Sequence, residues 1–138
     1  MKVSVLGCGT WGSAIAQSLA DNGVVVTAWQ RYEEKSKDME STRKHPILKN
    51  IEFNNNINFT SNLDEAINNG NIIFLAIPSH AIRTISSQIS KVLKKDSILV
   101  NLAKGIESDT LMTMSQVIIE ENNISNDRFV SLYGPSHA

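Results

Sequence analysis

Apolar and polar positions follow two different rhythms along the chain, and the switches between them mark the elements. Lys2-Val3-Ser4-Val5-Leu6 is a short β-rich run that stops at Gly7. Between Trp11 and Asn22, the positions Trp11, Ile15, Ala16, Leu19 and Ala20 recur at helical spacing, with Gly23 as the closing residue. Val24 to Trp29 returns to strand. Its nearly unbroken apolar character predicts burial on both faces, as in a parallel sheet covered by helices above and below. Tyr32 to Thr42 is charged, with Glu33, Glu34 and Lys37 suited to the outer face of a surface helix that His45-Pro46 should end. Lys49 to Asn58 is Asn-rich and reads as a loop leading to a short strand at Asn58-Phe59-Thr60. Asn62 then caps a helix whose first turn carries Asp64 and Glu65, where the helix dipole favours acidic groups.

The second half repeats the alternation. Strands are predicted at Asn71–Ile77, Ser97–Leu102 and Arg128–Tyr133. One helix opens at Pro78-Ser79 and places Ile82, Ile85, Ile89 and Leu93 on one face, and another is predicted from Ser108 to Glu121. Strands alternating with helices imply an α/β fold with a doubly wound, mostly parallel sheet and helices on both faces.

Composition narrows the function classes. The 138 residues are 41% hydrophobic and 20% charged, which suits a single globular domain with one core and no need of a disulfide or metal staple. A formal net charge of -1 lacks the basic excess that a nucleic-acid binder concentrates on one face. No apolar run approaches the roughly 18 residues that cross a bilayer. The single cysteine, Cys8, forms neither an intrachain disulfide nor a cysteine zinc site, so no metal is expected and a reducing, cytoplasmic setting is favoured. Small-molecule chemistry remains.

The chemistry is concentrated in Gly7-Cys8-Gly9-Thr10-Trp11-Gly12, a G-x-G-x-x-G sequence lying between the first strand and the first helix. That placement marks the dinucleotide-binding loop of a Rossmann-type fold. Gly7 permits the tight turn, Gly9 lets a pyrophosphate approach the backbone, and Gly12 allows close packing of helix on strand. Free N–H groups at the helix start bind the anion. Cys8, at a variable position, is read as packing. The end of the second strand should carry an acidic ribose-reading residue, yet Trp29-Gln30-Arg31-Tyr32 stands there. Arg31 pairs well with a 2′-phosphate, so NADP is expected to be accepted along with NAD. Two further strand ends face the same crevice. Ile77-Pro78-Ser79-His80 brings a stiff turn, and Ala103-Lys104-Gly105 presents a lysine with room beside it.

With these pieces placed, the sequence resembles the NAD(P)-dependent glycerol-3-phosphate dehydrogenase family of bacterial type. The matching stretches are Gly7-Cys8-Gly9-Thr10-Trp11-Gly12-Ser13-Ala14, Trp29-Gln30-Arg31, Ala76-Ile77-Pro78-Ser79, Ala103-Lys104-Gly105-Ile106-Glu107 and Gly134-Pro135-Ser136-His137-Ala138. The resemblance implies reversible reduction of dihydroxyacetone phosphate to sn-glycerol 3-phosphate, a precursor of phospholipids. It implies cofactor contacts from Gly7, Gly9, Thr10, Trp11, Gly12, Arg31, Tyr32, Pro78, Lys104 and Ala138, and substrate contacts from Lys104, Gly134 and Ser136. It further implies that residues 1–138 are the NAD(P)-binding domain, with the proton-transferring lysine in a helical substrate domain beyond Ala138. No catalytic residue is therefore expected in this chain, and the chain alone is expected to be inactive. A homodimer is left open. The loop His45-Pro46-Ile47-Leu48 departs from the family's Asn and Tyr-Leu-Pro pattern and receives no role. Two other readings stay open on the residues: the cofactor domain of a hydroxyacid or ketopantoate reductase, and a stand-alone NAD(P)-binding or redox-sensing module.

Overall fold

A computed structural model describes residues 1–49 and 51–134. Among these residues, six strands form one sheet in the order β3-β2-β1-β4-β5-β6, and every pairing is parallel. The strands are β1 (Lys2–Leu6), β2 (Val25–Trp29), β3 (Ile57–Thr60), β4 (Ile72–Leu75), β5 (Ile98–Asn101) and β6 (Phe129–Ser131). The helices are α1 (Thr10–Asp21), α2 (Glu33–Thr42), α3 (Leu63–Asn69), α4 (Ile82–Ile89) and α5 (Met114–Asn122). This is the doubly wound arrangement expected from the alternation. The sheet is wholly parallel rather than mostly so.

Period-two alternation distributes the strand side chains between two cores. Val5, Val26, Ala28 and Ile57 pack with Ala16 and Ala20 of α1 and Met39 of α2 on one face. Leu6, Ile73, Leu75 and Leu99 pack with Ile67 of α3, Ile82, Ile85 and Ile89 of α4 and Ile118 of α5 on the other. Ser4 is the polar exception in β1, and its buried hydroxyl donates to the Ala66 carbonyl of α3. Gly70 makes room for it, since a Cβ there would lie 2.3 Å from Ser4 Oγ.

The strands are a little shorter than the sequence expectation at several ends, and the helices show three departures in detail. α2 ends at Thr42, the expected residue, but the chain turns off at Arg43, in a left-handed conformation (φ 55°), two residues before His45-Pro46. Arg43 is held there because its guanidinium donates to the carbonyls of Asn54 and Ile57, 2.5 and 2.8 Å away. α5 begins at Met114 rather than Ser108, because Thr113 and Gln116 form a reciprocal capping box and Leu111 is left-handed (φ 60°). The segment after Pro78 opens as a 3-10 turn (Ser79–Ala81) before α4. Trp11, placed by spacing with the core positions of α1, is instead 57% exposed.

Candidate cofactor-binding site

In this strand order the chain winds outward in both directions from β1 and β4, so the crevice beyond their carboxyl ends is a topological switch point. A cleft of about 930 Å³ lies there, lined by the turns that follow β1, β2, β4, β5 and β6. Gly7, Gly9, Thr10, Trp11, Arg31, Tyr32, Pro78, Lys104 and Gly134 all line it, from turns spread over most of the chain. Gly12 is a packing residue behind the cleft wall. Ser136 and Ala138 lie outside the described residues.

The glycine loop divides its tasks as its spacing implied. Gly7 is at φ +106°, and a Cβ on it would lie 2.4 Å from the Ala76 carbonyl oxygen. A Cβ on Gly12 would lie 1.9 Å from the Gly7 carbonyl oxygen, so α1 packs against the turn with no side chain between them. A Cβ on Gly9 would meet nothing within 4 Å, which makes this the open wall through which an anion reaches backbone. Gly9 also serves as the N-cap of α1 without supplying a side-chain acceptor. α3 and α5, by contrast, are capped by Asn62 and Thr113. Among the described residues no hydrogen bond within the chain engages the Gly9, Thr10 or Trp11 N–H groups, all at the cleft, so these donors at the helix N-terminus are available to an anion. These donors and the side-chain-free wall fit a pyrophosphate.

Cys8 is 6% exposed, and burial pushes its thiol up to about 12. Its Sγ lies 3.3 Å from the Trp29 carbonyl, so the residue packs the loop against β2, as read from its position. Arg31 and Tyr32 are exposed at the far end of the cleft, and Lys35 Nζ stands 5.0 Å over the Tyr32 ring. This end of the cleft therefore carries a cationic side chain and an aromatic ring, with Lys35 over that ring in the adjoining depression.

Lys104 sits on the turn after β5, next to Gly105 at φ +123°. Two anchors that the reading of the sequence passed over hold that turn. Asn101, fully buried at the end of β5, accepts from the Ala103 N–H (2.9 Å) through Oδ1 and donates through Nδ2 to the Tyr133 hydroxyl (2.6 Å). Arg83 of α4 grips Glu107 in a bidentate pair, both contacts at 2.8 Å, and also reaches Glu120 and Glu121 of α5. The guanidinium, with a bond from Thr110, holds the Glu107 carboxyl down at about 2, and the three carboxylates push the Arg83 value up. An asparagine ending the apolar run Ile98-Leu99-Val100 was a legible signal for the first anchor. The second joins positions 24 or more residues apart and had none.

His45, given no role from sequence, is also part of this neighbourhood. It is 6% exposed, and its Nε2 lies 3.3 Å from the Cys8 carbonyl oxygen in the glycine loop. His80 lines the cleft and is exposed. Among the described residues no helix is long and apolar enough to cross a membrane, and no cluster of His, Cys, Asp and Glu could hold a metal ion.

Comparison with known proteins agrees with this geometry. Residues 2–138 match the family model described as NAD-dependent glycerol-3-phosphate dehydrogenase N-terminus. The chain is 46% identical over its whole length to a glycerol-3-phosphate dehydrogenase [NAD(P)+] of Thermoanaerobacter, and 41% identical to one of Fusobacterium nucleatum. It spans 41% and 42% of the length of those two curated relatives. The structure of a glycerol-3-phosphate dehydrogenase from Saccharomyces cerevisiae superposes with a TM-score of 0.85 at 24% identity, covering 99% of this chain and 42% of that one. That likeness shows the shared Rossmann-type fold. A sequence match from end to end, on a fold whose glycine loop, free helix N-terminus and lysine turn meet in one cleft, establishes that the chain belongs to the NAD-dependent glycerol-3-phosphate dehydrogenase N-terminal family, whose members are oxidoreductases using NAD or NADP.

Proposed function

We propose that this chain supplies the cofactor half of an enzyme that reduces dihydroxyacetone phosphate to sn-glycerol 3-phosphate, in the supply of phospholipid backbones. The observation that carries the reading is the single cleft in which the glycine loop, Arg31 and Lys104 meet. When bound, the dinucleotide supplies the hydride. The chain's own residues bind and orient. The N–H groups of the α1 N-terminus take the pyrophosphate. Arg31 and Tyr32 take the adenosine end, where the Arg31 guanidinium offers a 2′-phosphate a charge-assisted pair and supports acceptance of NADPH. Pro78 and Lys104 stand toward the opposite end, and the Lys104 ammonium is the charge that steadies negative charge developing on the substrate's carbonyl oxygen. Gly134 lines the same end, which supports the expected substrate contact there. The single, buried Cys8 favours a cytoplasmic location.

The test is a substrate panel with the protein that carries this chain. NADPH oxidation is expected with dihydroxyacetone phosphate and not with ketopantoate or a 2-keto acid. The opposite preference would assign the cleft to a different reductase, and tight NAD(H) binding with no turnover of any of these would favour a redox-sensing module.

A further inference from the structure

Both residues of the Cys8–Gly9 peptide line the cleft, and glycine allows this peptide two orientations. Gly9 sits at φ -72°, and turning the peptide over would carry φ to the positive side, which glycine tolerates and other residues do not. In a planar trans peptide, the carbonyl and the following N–H point in opposite directions. Whatever holds the Cys8 carbonyl therefore decides where the Gly9 N–H points.

We propose that His45 is the positioning residue that holds this peptide, so that the Gly9 N–H faces the cleft and the cofactor's pyrophosphate; the inference rests on the cofactor-binding reading above. His45 belongs to the loop after α2, which the bridge between Lys44 and Glu52 closes at its base. Its ring is buried edge-on to Phe53, with centroids 6.2 Å apart. The Ile47 and Leu48 N–H groups both donate to Nδ1, at 3.0 and 2.9 Å. A nitrogen that accepts twice carries no proton, so the hydrogen is on Nε2, which is thereby the donor to the Cys8 carbonyl at 3.3 Å. The loop fixes the tautomer, and the tautomer fixes the peptide. The Cys8 side chain pins the same residue against the Trp29 carbonyl. His45 touches no cofactor atom in this scheme and acts through the backbone alone.

Two conservative substitutions separate the functions of the two ring nitrogens. His45→Asn keeps an acceptor near Nδ1 and removes the donor to Cys8, whereas His45→Gln keeps a donor near Nε2. By calorimetric titration, wild type is expected to bind both NADPH and adenosine 2′-phosphate, which lacks the pyrophosphate. His45→Asn should bind NADPH about three- to tenfold more weakly, the share of one hydrogen bond, with adenosine 2′-phosphate unchanged. His45→Gln should restore NADPH binding to within about twofold of wild type, less than the share of one hydrogen bond. The proposal is overturned by wild-type NADPH affinity in His45→Asn, by weakened NADPH affinity in a folded His45→Gln, or by equal losses for both ligands. If wild type binds no NADPH, the cofactor reading itself fails, and this inference with it.

Discussion

Gly12→Ala tests whether the glycine loop is built by contact distance. The added Cβ would stand 1.9 Å from the Gly7 carbonyl oxygen and 3.0 Å from the Ala76 Cβ, whereas ordinary contact begins near 3.4 Å. The start of α1 would have to move by about 1.5 Å, and the obstacle is backbone at a tight turn with no rotamer to yield. Overpacking of this kind costs about 2–3 kcal/mol at the upper end of its usual range. Replacing glycine by alanine inside a helix returns about 1 kcal/mol. The net loss is about 1–2 kcal/mol, a fall in Tm of roughly 3–8 °C for a chain of this size. Displacing the N–H groups from the anion should weaken NADPH by at least about tenfold, the loss of one charge-assisted bond. Gly9→Ala is the control. Its backbone, at φ -72° and ψ -177°, is ordinary for alanine, and its Cβ meets nothing. Tm should stay within about 2 °C while NADPH binding falls, because the methyl group occupies the anion's approach. Differential scanning calorimetry and NADPH titration on both variants decide the matter. A Gly12→Ala protein as stable as wild type, or a Gly9→Ala protein that binds NADPH normally, would refute the assignment of these two positions.

Three further outcomes follow from charge and burial. Arg31→Ala should weaken NADPH about tenfold and NADH much less, since only NADPH carries the 2′-phosphate; equal losses in parallel titrations would remove Arg31 from that role. Glu107→Gln should lower Tm at neutral pH, and the deficit should shrink as pH falls. Its carboxyl lies at about 2 in the folded protein against 4.5 ordinarily, so the contribution is complete above about 4.5 and disappears toward 2; melting curves showing a pH-independent deficit would contradict this. Cys8, buried and raised to about 12, should resist alkylation at pH 8 in the folded protein and react once urea unfolds it; rapid labelling of the native chain would show that the loop opens.

The strands, the capping asparagine at 62 and the glycine loop were legible because each depends on neighbours within a few residues. Helix ends were less so. α5 starts at the Thr113 and Gln116 capping box rather than at Ser108, and the turn after α2 falls at Arg43, held by the carbonyls of Asn54 and Ile57, rather than at His45-Pro46. Trp11 shows the limit of periodicity, which places a side chain on a face without saying whether that face is covered at its end.

By itself the sequence determined the α/β class, the position of the anion-binding turn and the candidate residues Arg31 and Lys104, since strand and helix periods and glycine stereochemistry are local properties. Only the tertiary structure decided that turns spread from Gly7 to Gly134 share one cleft, that Asn101 and Arg83 hold the lysine turn, and that His45 reaches the Cys8 carbonyl. The Arg83–Glu107 and His45–Cys8 contacts join groups 24 and 37 residues apart, the second of them at a backbone carbonyl. A backbone carbonyl has no letter in the sequence, and its partner is chosen by which loops the folded chain brings together.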